Sequence, residues 1–134
     1  MCLILIILNE PETGNTLVGK LVEPEHDVTI CNNFETAAAL LERDLVDLII
    51  CDLALIESHS AFENAFDFLA WTKRNNTLRH IPFLCFSVKT MINEPYADGV
   101  NKAAKALGAS NCLSLDRCDD SSLRVEVQRL LKAA

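Results

Sequence analysis

A cluster of lysine and arginine residues is missing from this chain. Its 134 residues include 12 basic and 19 acidic side chains, which give a net charge of −7 at pH 7. Binding to nucleic acid depends on a basic surface that neutralises phosphates. The composition therefore argues against direct nucleic-acid binding.

A long apolar run is missing as well. The longest one, Cys2–Leu8, is far shorter than the roughly 20 residues that a membrane-spanning helix needs. It also lacks the preceding basic segment and the small-residue cleavage site that mark a signal peptide. We therefore expect no membrane insertion and a cytoplasmic location.

The six cysteines include no Cys-x-x-Cys pair and no cysteine and histidine spacing typical of a zinc site. Four of them, Cys2, Cys31, Cys51 and Cys85, fall in or at the edge of apolar segments. Free cysteine behaves there as a small hydrophobic residue. We predict buried, reduced thiols in preference to a redox or disulfide role.

Neither an internal repeat nor a Pro/Ser-rich linker divides the chain, so residues 1–134 are predicted to form a single domain. Short apolar runs alternate with helical patterns from end to end. This alternation is typical of a parallel sheet with helices on both faces. The predicted strands are Cys2–Leu8, Asp27–Cys31, Val46–Asp52, Ile81–Ser87 and Asn111–Leu115.

The helical segments carry apolar residues at spacings of three and four. Asn33 is expected to cap the first predicted helix, and Gly108 to end the third. Right-handed crossovers then predict a doubly wound α/β fold with strand order 2-1-3-4-5. The predicted helices are Thr36–Arg43, Ala61–Arg74, Ala97–Leu107 and Ser121–Lys132.

Asp52 is the residue best placed for chemistry, because it ends the apolar run Val46–Asp52. In an open parallel sheet, ligands bind just beyond the carboxyl ends of the strands. Other polar residues follow such ends: Asn9 and Glu10 after the first predicted strand, and Ser87 at the end of the fourth. The alternative is that Asp52 only caps the turn that follows it.

The sequence resembles the receiver domain of two-component response regulators. The resemblance is carried by the DLIICDL run that contains Asp52, by the HIP sequence that opens the fourth predicted strand, and by GAS before the fifth. It covers essentially the whole chain and implies a flavodoxin-like sheet and a role in a phosphorelay. It also implies that the protein is not an enzyme, beyond self-phosphorylation at Asp52 from a phosphodonor.

The resemblance assigns a role to each polar residue at the strand ends. Asp52 would be the phosphoacceptor, and Ser87 would contact the phosphoryl oxygens. Mg²⁺ would bind weakly to Glu10, Asp52 and the backbone carbonyl of Ala54, because hard cations prefer oxygen ligands. No tightly bound organic cofactor is expected.

Three positions depart from the receiver pattern. Asn9 replaces one carboxylate of the acidic pair, Leu115 stands at the position of the lysine, and Cys112 stands where an aromatic residue is common. Lys89 or Arg117 could replace the lysine, although both also fit as solvated loop residues. We therefore predict a degenerate receiver, or pseudo-receiver, in which phosphorylation is weak or lost.

A competing interpretation rests on the loop Thr13–Thr16, which is similar to the phosphate loop of flavodoxins. Backbone N–H groups and hydroxyls in such a loop could hold the phosphate of FMN, which would make the protein an electron carrier. The same residues also fit a helix start capped by Thr13 or Asn15. The receiver interpretation is preferred because the loops after the third and fourth strands offer a flavin ring only Phe62 and Tyr96.

The receiver resemblance implies that the partner is a sensor histidine kinase or another signalling protein. Receivers commonly pair through the face built by the fourth helix, the fifth strand and the fifth helix, and we expect a weak homodimer there. The alternative is that this face is ordinary solvated surface. The predicted face comprises Lys102, Ala103, Ala104, Lys105, Leu107, Leu113, Asp119, Arg124, Glu126 and Arg129.

Overall fold

The computed structural model describes residues 2–8, 26–53, 62–87, 102–114 and 120–133, with the backbone alone for residues 87, 114, 120–123 and 133. These ranges contain five strands and four helical segments. The strands are β1 (Leu3–Ile7), β2 (Asp27–Cys31), β3 (Leu48–Asp52), β4 (Phe83–Ser87) and β5 (Asn111–Ser114). The helices are α1 (Phe34–Arg43), α2 (Ala65–Arg74), α3 (residues 102–107) and α4 (Asp120–Ala133).

The five strands form one sheet in the order β2-β1-β3-β4-β5, and every neighbouring pair is parallel. This confirms the predicted strand order. Central strands covered on both faces read as continuous aliphatic runs. The β3 sequence LIICD fits that rule, because all five of its residues are buried.

The two faces of the sheet carry separate hydrophobic clusters. On one face, α1, α2 and Ala104 of α3 pack against alternate strand residues such as Leu5 and Ile49. On the other face, Val127 and Leu130 of α4 pack against the strand residues that alternate with those of the first face. The prediction of helices on both faces is therefore confirmed.

Ala104 was predicted to belong to the dimer face, and this prediction is wrong. Its side chain is fully buried against the sheet, because alanine at this position allows α3 to lie close to the strands. Glu126 and Arg129 of the same face pair with each other within α4, and Asn111 of β5 donates a hydrogen bond of 3.1 Å to Glu126. Asp119 lies outside the described residues.

Helix boundaries follow the capping residues. Asn33 caps α1 as predicted, since its side chain accepts a hydrogen bond of 2.7 Å from the Thr36 N–H. The predicted start of the second helix at Ala61 is wrong, because Asn64 caps α2 through a 3.0 Å hydrogen bond from the Asp67 N–H. Asparagine suits this position because its oxygen satisfies an N–H group that has no partner in the first helical turn.

The helices in the described ranges include none that is long and apolar enough to cross a membrane.

Gly108 ends α3 in the left-handed region, with a φ of +117°. Its N–H donates to the Lys105 carbonyl at 3.0 Å, and the Ala109 N–H donates to the Ala104 carbonyl at 3.0 Å. This pair of bonds is the Schellman motif, which favours glycine because a Cβ atom is strained at positive φ. The predicted helix end at Gly108 is confirmed.

We predict that Gly108→Ala lowers the free energy of unfolding by about 1–3 kcal/mol, because it adds backbone strain and a steric clash. The new Cβ would lie 2.8 Å from Cγ of Lys73. That side chain cannot move away freely, because its Nζ donates to the Ile81 carbonyl at 2.9 Å. Urea denaturation of Gly108→Ala, Lys73→Ala and the double variant separates the clash from the strain. An unchanged stability of Gly108→Ala would contradict both the strain and the clash.

Candidate functional site

The carboxyl ends of the strands lie at one edge of the sheet, and the strand register defines their relative positions. Asp52, the last residue of β3, pairs with Phe86 of β4, which in turn pairs with Leu113 of β5. Ser87, one position further along β4, pairs with Ser114. The backbones of Asp52 and Ser87 therefore lie at the same edge on neighbouring strands, as predicted from the sequence.

Asp52 is an unusually buried carboxylate. Only 9% of its surface is exposed, and among the described residues it is the one charged residue that is buried. The turn that follows is fixed by a hydrogen bond of 3.0 Å from the Leu53 N–H to the Phe86 carbonyl. A charge is unfavourable in such a place unless it interacts with other groups, which makes Asp52 the candidate functional carboxylate of this edge.

The chemistry of Asp52 suits a hard cation or a phosphoryl group better than a soft metal. Its carboxylate supplies the oxygen ligands that Mg²⁺ prefers. Within the described ranges, no three histidine, cysteine, aspartate or glutamate side chains converge as a metal-binding group. The other predicted ligands of a cation, Glu10 and the Ala54 carbonyl, lie outside these ranges.

Most of the other predicted site residues fall outside the described part of the chain. This applies to Asn9, Glu10, Ala54 and Leu115, and the side chain of Ser87 is not described. The candidate replacements for the lysine, Lys89 and Arg117, lie outside it as well. Their roles remain predictions.

Cys112 lies where the sequence predicted it, on β5 beside β4. Its half-buried thiol is hydrogen-bonded to the thiol of Cys85, which lowers the pKa of Cys112, and Lys105 nearby lowers that pKa further. The same hydrogen bond, followed by burial, raises the pKa of Cys85. Burial, followed by the charge of Asp52, raises the pKa of Cys51 well above its usual value.

Three cysteines form a row that was not predicted from the sequence. Cys51, Cys85 and Cys112 are in register on three adjacent strands. A signal was present, because each of them lies one or two residues before a polar residue that ends its strand. The prediction that Cys31, Cys51 and Cys85 are buried and free is confirmed, whereas Cys2 is half-buried.

The flavin alternative is not favoured. Its loop, Thr13–Thr16, lies outside the described residues. Phe62, the aromatic residue that the segment after β3 could offer to a flavin ring, packs instead against Phe34, Phe68 and Trp71, with ring centroids 5.2–6.3 Å apart. This side chain belongs to the hydrophobic core.

No protein-family model and no curated protein matches the chain. Solved structures do match it. The receiver domain of a signal transduction histidine kinase from Syntrophus aciditrophicus aligns with a TM-score of 0.80 and 24% identity over 100% of this chain and 92% of that one. The receiver domain of a DNA-binding response regulator from Colwellia psychrerythraea 34H aligns with a TM-score of 0.79 and 19% identity, over 98% and 99% of the two chains.

A further match is the Mn²⁺-bound form of response regulator Rcp1, with a TM-score of 0.68 and 19% identity over 97% of this chain and 91% of that one. Sequence identities at this level establish the similarity of fold. The order of the strands, the parallel pairing and the position of Asp52 agree with that similarity. The chain therefore has the fold of a response regulator receiver domain.

Proposed function

We propose that the protein is a receiver-like signalling module of a two-component phosphorelay, with Asp52 as its phosphoacceptor. The observation that carries this proposal is a nearly buried carboxylate at the carboxyl end of β3 in a sheet with the receiver fold. The module is cytoplasmic and has no enzymatic activity beyond its own phosphorylation. Its partner is a sensor histidine kinase or another signalling protein.

In the proposed reaction, a carboxylate oxygen of Asp52 attacks the phosphorus of the donor, and the bond to the leaving group breaks. Ser87 at the end of the neighbouring strand contacts the phosphoryl oxygens. Glu10, Asp52 and the Ala54 carbonyl are the residues that would hold Mg²⁺, which when bound neutralises the charge of the phosphoryl group. The similarity to the Mn²⁺-bound form of Rcp1 supports binding of a divalent cation.

The same residues make phosphorylation weak. Asn9 is a neutral amide in the acidic pair, so only one carboxylate of that pair remains to attract a cation. Leu115 offers no positive charge to the phosphoryl group, and an uncompensated charge in a desolvated site is unfavourable. Lys89 or Arg117 would have to supply the missing charge.

The output of the module is a protein–protein interaction. In receivers, an aromatic side chain on the fifth strand commonly reports the state of the site by rotating between a buried and an exposed position. Cys112 stands at that position and has no ring, so this form of coupling between the site and the surface has no counterpart on β5. We infer that a partner recognises the folded surface, either with or without phosphorylation at Asp52.

We predict substoichiometric phosphorylation when the protein is incubated with Mg²⁺ and acetyl phosphate. Intact-mass measurement should show a minor phosphoryl adduct that disappears in Asp52→Asn, because that variant lacks the attacking carboxylate. A matched control is Asp47→Asn. Asp47 lies at the opposite edge of the sheet, where its carboxylate accepts a 2.9 Å hydrogen bond from the Leu3 N–H.

Replacement of Leu115 shows whether the missing cation limits that reaction. Leu115→Lys should raise the phosphorylated fraction, whereas Leu115→Met, of similar size but uncharged, should not. An adduct that persists in Asp52→Asn would refute Asp52 as the phosphoacceptor. A stoichiometric adduct on the wild-type protein would refute weak phosphorylation.

We also propose a weak homodimer through the corrected face of α3, β5 and α4. Leu107 is an apolar residue of this face that is 40% exposed. We predict that Leu107→Asp abolishes dimers in light scattering across a concentration series, because two carboxylates would meet at a two-fold contact. Leu45→Asp is the control, since Leu45 is 94% exposed and lies between α1 and β3. A monomeric wild type, or a dimer insensitive to Leu107→Asp, would exclude this face.

A further inference from the structure

Cysteines occupy one row across three adjacent strands of the sheet. Cys51 of β3 pairs in register with Cys85 of β4, which pairs with Cys112 of β5. Consecutive residues of a strand point to opposite faces, and these three cysteines all belong to the hydrophobic cluster of the same face. Their thiols are therefore neighbours.

The pair on β4 and β5 has the spacing of a disulfide. Neighbouring strands lie about 4.7–4.9 Å apart, and the Cα atoms of a disulfide are commonly about 4.4–6.8 Å apart. The thiols of Cys85 and Cys112 are already hydrogen-bonded to each other. The shared register and the shared face therefore make these two thiols the candidate pair for a disulfide.

The environments of these two thiols differ in a way that suits a reactive and a resolving cysteine. Cys112 is half-buried, and both the hydrogen bond from Cys85 and the charge of Lys105 lower its pKa. Cys85 is buried in the hydrophobic cluster. Reactive cysteines are accessible thiols with stabilised thiolates, whereas buried thiols in apolar surroundings are inert towards reagents in solvent.

Cys51 is not accessible to solvent as Cys112 is. Its side chain is fully buried, and the sulfur contacts the Asp52 carbonyl at 3.7 Å. It is therefore protected from reagents in solvent, although it lies in the same row. Replacement of Cys51 provides a matched control.

We propose that Cys112 is a site of oxidation by hydrogen peroxide and that Cys85 resolves the product into a disulfide between β4 and β5. The Cys112 thiolate attacks one peroxide oxygen, the O–O bond breaks, and the departing hydroxide takes up a proton to form water. The sulfur of Cys85 then attacks the resulting sulfenic acid, the S–O bond breaks, and the oxygen leaves as water with the thiol proton. Two thiols are oxidised and one peroxide is reduced to two waters.

In the test, the reduced protein is treated with hydrogen peroxide, the remaining thiols are alkylated, and disulfides are mapped by peptide mass spectrometry. We expect a Cys85–Cys112 disulfide that dithiothreitol reverses. Cys112→Ala should lose the disulfide completely, and Cys51→Ala should retain it. A disulfide formed mainly by other cysteines, or none at all, would overturn the proposal.

A second measurement identifies the cysteine that is attacked first. In Cys85→Ala the sulfenic acid cannot be resolved, so dimedone should label Cys112 in that variant more than in the wild type. Labelling mainly at Cys2, the other half-buried cysteine of the described chain, would refute the assignment. If Cys85→Ala does not fold, the disulfide map of the wild-type protein decides alone.

Discussion

Five short strands pair in parallel between two layers of hydrophobic side chains, and this pairing determines where each strand end lies. Because every strand runs in the same direction, all carboxyl ends lie at one edge. The β3 residues before Asp52 are completely buried, so a charged side chain is accommodated only at the end of the strand. The position of the carboxylate is thus a consequence of the fold.

Because side chains alternate along a strand, the carboxylate of Asp52 and the thiol of Cys51 lie on opposite faces of the sheet. The cysteine row lies in the cluster beneath α1 and α2. The carboxylate site and the thiol pair nevertheless share β4, which carries both Cys85 and Ser87. A covalent bond between β4 and β5 would restrict the movement of a strand whose end is part of the proposed phosphorylation site.

The fold could be predicted from the sequence because strand and helix signals alternate from Asp27 onwards and the strands at the centre of the sheet are strongly apolar. Helix boundaries are less predictable: α2 begins four residues after the predicted Ala61, since the capping geometry of Asn64 outweighs the helical pattern before it. The burial of Ala104 was not predicted, because the pattern of small residues in α3 does not reveal how closely the helix approaches the sheet.

The candidate site was predictable to the extent that local sequence determines it. Asp52 could be identified because it ends an apolar run, whereas the pairing of Cys85 with Cys112 depends on the register of two strands distant in sequence. Register depends on the patterns of both strands and on the connection between them, so one run of residues does not specify it alone. The burial of Asp52 likewise becomes visible only after both faces of the sheet are covered.

If Asp52 is the phosphoacceptor that we propose, a divalent cation should bind at this edge of the sheet through its carboxylate, with an affinity limited by the amide at position 9. Amide NMR during a Mg²⁺ titration measures this binding. The amide signals of Asp52, Leu53 and Ser87 should shift in the wild-type protein but not in Asp52→Asn, and these shifts should saturate at lower Mg²⁺ in Asn9→Asp. Shifts confined to other parts of the protein, or shifts at this edge that persist in Asp52→Asn, would contradict it.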